Sequence, residues 1–274
     1  MLSNLATRTI TGIALVLLVI FSVVLGRYVF ASFFLLVTIL GMWEFYTLLE
    51  RAEIRPNKIL GVVAGAFLFM SNALVSLEIA PLNVLLFNFL LIFFVFLFEL
   101  YRNLPNPFTN VAFTFFGLLY VAVPFALLNY LPNPAFESGV YNHNIVLGFF
   151  FLIWVNESGA YLVGSTLGKH KLFERVSPKK TWEGTAGGGV LCLITAAVIS
   201  VYFTELSRLN WMVMGALVVV FSTYGDLFES MLKRSIKAKD SGRILPGHGG
   251  ILDRFDGVIM AIPFVFVYLL WVSV

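Results

Sequence analysis

Three observations on this 274-residue chain predict an all-α, polytopic integral membrane protein. Hydrophobic residues make up 59% of it and charged residues 12%, about half the charge of an ordinary soluble domain. Mean hydropathy is +0.93. Apolar runs of about 20 residues, enough to cross a hydrocarbon core, recur from end to end. They read as nine transmembrane helices at 9–26, 28–49, 59–80, 82–101, 110–131, 144–168, 184–203, 211–236 and 250–273. No loop is long enough for a separate soluble domain. One membrane domain is therefore expected: residues 1–143 (spans 1–5) for packing, a lipid-facing wall or a self-contact, and residues 144–274 (spans 6–9) for the chemistry-bearing loops.

The first span follows Arg8 and runs for longer than the apolar core of a signal peptide, with no small-x-small cleavage site after it, so it is read as a retained helix. The single cysteine, Cys192, lies in an apolar run; it excludes a disulfide framework and reads as a packing residue. Orientation follows from the cations. Arg8, Arg51, Arg55, Lys58, Arg102, Lys169, Lys171, Arg175, Lys179, Lys180, Lys233, Arg234, Lys237, Lys239 and Arg243 share one side, while only Arg27 and Arg208 lie on the other. Arg254 falls at the start of the last span. The positive-inside rule puts the basic side in the cytoplasm, with the N-terminus inside and the C-terminus outside. The expected setting is the inner membrane of a bacterial cell, and no nucleic-acid partner is expected.

Two of those loops, 169–180 and 233–243, hold more cations than topology needs, and they also hold glycine, proline and acidic residues. All four aspartates, Asp226, Asp240, Asp253 and Asp256, lie in or beside residues 230–256. Carboxylates suit hard divalent cations; lysine, arginine and glycine amides suit phosphate oxygens. A polyphosphate handled with its metal is the chemistry this mixture fits. On a helix, Asp226, Glu229, Ser230, Lys233 and Lys237 share one face, running from an acid at membrane depth to cations at the surface. The bland alternative is an internal salt bridge from Asp226 or Glu229 to Lys233. Leu245-Pro246-Gly247-His248-Gly249-Gly250 is too rich in glycine and proline to be helical; its glycine amides are expected to favour an anion, and the free N-terminus of the last span an anion or a cation-bound carboxylate pair. His248 is placed near substrate, whereas Asp240 reads as a partner of Lys239. Asp253 and Asp256, three residues apart on that span, would repel unless a cation or Arg254 lies between them.

A second constellation spans residues 154–189. Asn156, Glu157 and Ser158 interrupt span 6 near mid-depth, and a buried Glu157 is a functional candidate. Gly159 and Gly164 allow close helix packing, as do Gly187, Gly188 and Gly189. Ser177-Pro178-Lys179-Lys180-Thr181-Trp182-Glu183-Gly184 is expected to set its lysines at a helix N-terminus, a cradle for phosphate.

Both constellations resemble one family. Ser230-x-Leu232-Lys233-Arg234, Lys239-Asp240, Gly242, the Leu245-to-Gly250 run and Asp253-Arg254-Phe255-Asp256 are similar to the signature of the phosphatidate cytidylyltransferases, also called CDP-diacylglycerol synthases. So are Glu157-Ser158-Gly159-Ala160-Tyr161 and the run from Ser177 to Gly184, with two departures: Glu157 stands where the family more often has aspartate, and Ser165 where it has arginine. The resemblance covers residues 154–256 and implies transfer of CMP from CTP to phosphatidate in the bilayer, releasing pyrophosphate. It implies Mg²⁺, a companion cation such as K⁺, and a homodimer. The expected metal ligands are Asp226, Asp253 and Asp256, with Lys233 and Arg234 beside them as catalytic residues. Ser177, Lys179, Lys180, Lys237, Lys239, Gly247, His248, Gly249, Gly250, Arg254 and Glu157 are the expected substrate-binding residues.

A CTP-dependent lipid kinase would need much the same groups and stays open as the alternative. A CDP-alcohol phosphotransferase fits less well, because Asp253-Arg254-Phe255-Asp256 lacks the Asp-Gly-x-x-Ala-Arg start of that motif. An anion transporter with Glu157 and Asp226 as coupling sites lacks the internal repeat common in transporters.

Overall fold

The structure is a computed structural model and describes residues 4–135, 137–238, 240–242, 244 and 249–273, apart from the side chains of residues 4–8. The chain is an all-α polytopic membrane protein. Among the described residues, eight helical segments are long and apolar enough to cross a membrane, and the first helix contributes a shorter apolar stretch, Thr9–Val24. The chain divides into two compact units, Met1–Asn129 with Ile236–Arg254, and Tyr130–Ser235 with Phe255–Val274.

In the first unit, α1 (Asn4–Val24) turns into α2 (Arg27–Glu50) at Gly26, whose φ of 110° few other residues adopt. Helix α3 (Lys58–Ser76) starts on Asn57, whose side chain accepts from Leu60 N–H (3.4 Å). A 3₁₀ turn (Leu82–Leu86) runs into α4 (Phe87–Arg102). The fifth span is built from α5 (Pro107–Gly117) and α6 (Val123–Leu128), joined by a π turn at Leu118–Ala122. Pro124 accounts for that turn: it has no N–H to donate and its ring crowds the carbonyl one turn back, so the ladder widens there. The core holds Phe34, Met42, Phe45, Tyr46 and Phe125. Tyr46 buries its ring and donates its hydroxyl to the Thr114 carbonyl (2.7 Å), tying α2 to α5.

The second unit holds α7 (His143–Leu167), a hairpin of β1 (Lys171–Phe173) and β2 (Ser177–Thr181), α8 (Trp182–Tyr202), α9 (Arg208–Ser235) and most of α10 (Leu252–Ser273). Helices α7 and α8 meet along a seam of small residues. A Cβ on Gly184 would sit 2.9 Å from the Gly164 α-carbon, and one on Gly188 2.6 Å from the Asn156 carbonyl. The expected close packing at these glycines is what they do. Cys192 is buried, its thiol against the Gly215 carbonyl (3.6 Å).

Two local expectations are corrected. Lys179 and Lys180 do not begin a helix; they lie on β2, antiparallel to β1 with Lys171 opposite Thr181. Pro178 is tolerated there because a two-stranded ribbon is all edge. Helix α8 starts one residue later on Thr181, whose Oγ1 accepts from Gly184 N–H (3.2 Å). Nor does the charged stripe of α9 reach Lys237: the helix ends at Ser235, and Lys237 takes a φ of 54° that breaks the helical path.

Trp211 of α9 is fully buried, and a Cβ on Gly148 of α7 would overlap its ring. Gly148→Ala is expected to destabilise the protein by about 1–3 kcal/mol, the usual cost of overpacking. A fall in Tm in detergent checks this; an unchanged Tm would mean the two helices do not meet so closely.

Candidate active site

The second unit gathers four carboxylates. Asp256, on the second turn of α10, is buried, and its Oδ1 accepts from Gly257 N–H (2.7 Å). Asp226 and Glu229 of α9 and Glu157 of α7 stand near enough for their charges to act on it. Close helix approach makes this possible: Gly225 lies against the Asp256 carbonyl, and a Cβ on Gly257 would come within 3.1 Å of Glu157 Oε1. Like charges so placed repel, most strongly at the buried Asp256 and Glu229.

Two lysines offset part of that repulsion. Lys233 Nζ bonds Glu229 Oε2 at 2.5 Å, one turn along α9. This is the internal salt bridge weighed from spacing, and Glu229 rather than Asp226 makes it. Asp226 takes its cation from the other constellation: Lys180 Nζ lies 2.7 Å from its Oδ2 and 3.4 Å from the Thr223 carbonyl. Ser230 donates to Asp226 Oδ1 (3.2 Å). Alternation along β2 explains why only one lysine of the pair does this, since successive strand residues point to opposite faces. Lys180 is half-buried toward α9, while Lys179 is exposed and Ser177 half-buried. The hairpin is held at its base by Glu183, whose carboxylate accepts from Lys169 N–H (3.0 Å) and His170 N–H (3.1 Å).

Beside Glu157, Asn156 is only 3% exposed. Its Nδ2 donates to Ser222 Oγ (3.0 Å), and its Oδ1 is buried with no hydrogen-bond partner. A buried amide oxygen of this kind is a ready ligand for a hard cation, as are the neighbouring carboxylates. The donor chemistry thus fits a divalent ion. Among the described residues, however, no three acidic, histidine or cysteine side chains are already gathered as a metal-binding group.

In the first unit, Asp253 has a different employment. Its Oδ2 accepts from Ser241 N–H (3.1 Å) and Gly250 N–H (2.8 Å), with the Ser241 hydroxyl at 2.9 Å. Glu44, from α2, accepts from Ile251 N–H (2.9 Å), Leu252 N–H (3.2 Å) and the Ser241 hydroxyl. The amides at the start of α10, expected to take an anion or a carboxylate pair, are taken by the chain's own carboxylates. Gly249 has a φ of 82° and Gly250 is buried in this knot. Arg234, Lys237 and Arg254 are exposed. Lys239, Gly247 and His248 lie outside the described residues.

The chain matches the Cytidylyltransferase family over residues 6–272. It belongs to that family. The phosphatidate cytidylyltransferase of Bacillus subtilis (strain 168) is 32% identical over 271 residues, 94% of this chain and 95% of that protein. Those of Staphylococcus aureus (strain COL) and Staphylococcus epidermidis (strain ATCC 35984) are 38% and 39% identical over 158 residues, 57% of this chain. The matched region spans 58% of the length of these staphylococcal relatives.

In this cytidylyltransferase-family chain, Asp226, Asp256, Lys180 and Lys233, singled out from sequence, lie in one unit, while the contacts made by Asn156, Ser222 and Glu44 were not foreseen. Asn156 could have been suspected as an amide inside an apolar span; Glu44 gave the same faint signal in span 2. Glu157, expected to be buried, is exposed, and Asn156 next to it is the buried residue.

The two acid–lysine pairs of α9 should differ sharply in their effect on stability. Asp226 is 44% exposed in its pair and Glu229 only 2%. Asp226→Asn is expected to cost no more than about 1 kcal/mol, as exposed pairs do. Glu229→Gln is expected to cost about 3–5 kcal/mol, because it strands Lys233 without its partner. Thermal unfolding of the two variants in the same detergent checks the order.

Proposed function

We propose that this protein is a phosphatidate cytidylyltransferase, taking CTP and phosphatidate to CDP-diacylglycerol and pyrophosphate at the cytoplasmic face of the membrane. The observation that carries the reading is the Lys180–Asp226 contact (2.7 Å), which sets the family-resembling Ser177-to-Gly184 run against α9, the helix that ends in the resembling Ser230-to-Arg234 run. The staphylococcal and B. subtilis relatives, each named phosphatidate cytidylyltransferase, support it.

A phosphate oxygen of phosphatidate attacks the α-phosphorus of CTP. The new P–O bond forms as the bond from that phosphorus to the bridging oxygen breaks, and the electron pair leaves on pyrophosphate. The nucleophile is already anionic, so no base is needed to activate it. The difficulty is that two highly charged anions must meet, and catalysis reduces to positioning and charge neutralisation. Lys180, with Lys179 and Ser177 on the same strand, is assigned to the triphosphate; Lys233, Arg234, Lys237 and Lys239 are assigned to neutralising the same anions. Gly247, His248, Gly249 and Arg254 are assigned to substrate binding.

Asp226 and Asp256 would hold Mg²⁺, with Glu157 and the Asn156 amide oxygen as the neighbouring oxygen donors and K⁺ as a companion cation. Such an ion supplies positive charge shared between the two phosphates. Asp253 is assigned first to holding the loop, through the oxygen that takes the Ser241 and Gly250 hydrogen bonds. The N-terminus faces the cytoplasm and the C-terminus the opposite side. The spans of residues 1–143 supply the lipid-facing wall and the contact of a homodimer in a bacterial cell membrane.

CTP labelled at the α-phosphorus tests the reaction: label should enter lipid in the presence of phosphatidate and Mg²⁺. Label that stays with released CDP would overturn the reading in favour of a CTP-dependent lipid kinase. Asp226→Asn is expected to lower turnover by on the order of a hundredfold. Lys180→Ala should raise the KM for CTP by about tenfold, the loss of one charge-assisted hydrogen bond, with the KM for phosphatidate less affected. Steady-state kinetics with each substrate varied in turn separate the two effects.

A further inference from the structure

We propose that Glu44 is a positioning residue of the active site, fixing where α10 begins and hence where its first acidic residues stand. The inference rests on the cytidylyltransferase reading above and assigns a role to the N-terminal half of the chain that the resembling segments do not include.

Glu44 is 3% exposed and stands among apolar residues of α2. Its two oxygens take the Ile251 and Leu252 amides and the Ser241 hydroxyl. The first amides of any helix have no carbonyl one turn back, and the helix dipole adds positive charge there, so a carboxylate is well matched to them. Room is left for it on both sides. A Cβ on Gly250 would overlap the carboxylate, and one on Gly242 would come 2.5 Å from Oε2. Neither position admits a larger residue while Glu44 stays where it is.

A helix that needed only a cap could use a serine, threonine or aspartate at its own start. Here the cap comes from a residue more than 200 positions away. A buried carboxylate is costly to desolvate, and the gain over a local cap is location: the start of α10 is tied to α2 rather than merely terminated. Asp253 belongs to the same knot. It takes Ser241 N–H and Gly250 N–H, and the single hydroxyl proton of Ser241 lies between its Oδ2 and Glu44 Oε1. Asp256 follows one turn along the same helix. Loosening Glu44 therefore frees the segment that sets both aspartates.

The test compares wild type, Glu44→Gln and Gly242→Ala as full-length protein in lipid nanodiscs. It reads amide hydrogen exchange of the 249–257 segment and kcat and KM for pyrophosphate release. Glu44→Gln puts an amide N–H₂ where a donor must be accepted. Exchange at Ile251 and Leu252 should quicken by about tenfold, and kcat should fall by about a hundredfold, the scale of small misplacements of reacting groups. KM for phosphatidate should hold. Gly242→Ala, which crowds the carboxylate without removing it, should shift both readouts in the same direction and serves if Glu44→Gln does not accumulate.

Faster exchange with wild-type kcat would overturn the proposal, leaving Glu44 a cap and nothing more. So would wild-type exchange in both variants. Absence of CTP-dependent turnover in the wild type would instead sink the activity reading, while the exchange comparison would still decide whether Glu44 holds the segment.

Discussion

Repulsion among Asp256, Asp226, Glu229 and Glu157 is the constraint on which the second unit depends. Four carboxylates on three apolar helices would drive those helices apart without counter-charge. The fold supplies the counter-charge from two directions. Lys233 comes from within α9 at helical spacing, and Lys180 comes from a strand that would otherwise have no reason to exist in an all-α protein. The hairpin's purpose is legible in its alternation: one lysine turned to Asp226, the next to solvent. The glycines along α7, α8 and α9 serve the same end, because only helices that approach closely can bring acids from α7, α9 and α10 into one field.

The unevenness of what the sequence disclosed follows from the physics of each element. Spans were legible because a bilayer demands about 20 apolar residues and little else. The ends of α9 and α10 were legible because glycine, proline and charge mark where a span stops. The hairpin was not: a five-residue strand containing Pro178 has no detectable period, and SPKKT reads equally well as the start of the helix that follows. Lys237 misled because KRSIK continues a good helical pattern, and nothing local announces a left-handed residue there. The Lys180–Asp226 pair joins residues more than 40 positions apart, and spacing arguments reach only along one element.

Glu44 was hardest to see for a related reason. A lone glutamate in an apolar run carries no motif, and its meaning lies wholly in what it meets. The sequence reading left the start of α10 to an anion or to a carboxylate pair, since unpaired amides and a helix dipole favour negative charge. The amides of Ile251 and Leu252 take Glu44, and that of Gly250 takes Asp253, so these groups organise the loop from within the chain.

On the proposed function, that difference shifts phosphate recognition toward side-chain cations. Among the described residues, Lys179, Arg234 and Lys237 are exposed, whereas Lys180 and Lys233 would meet a phosphate only at the expense of a carboxylate. A lysine paired with an acid is a charge in reserve. It becomes available to a phosphate when its acid finds another counter-charge, and otherwise it keeps the site neutral and the helices together. On the proposed function, a site built in this way would bind nucleotide and divalent ion best together, because each alone would leave one sign of charge uncompensated. That coupling is what a reaction between two anions would require, and charge balance alone would supply it.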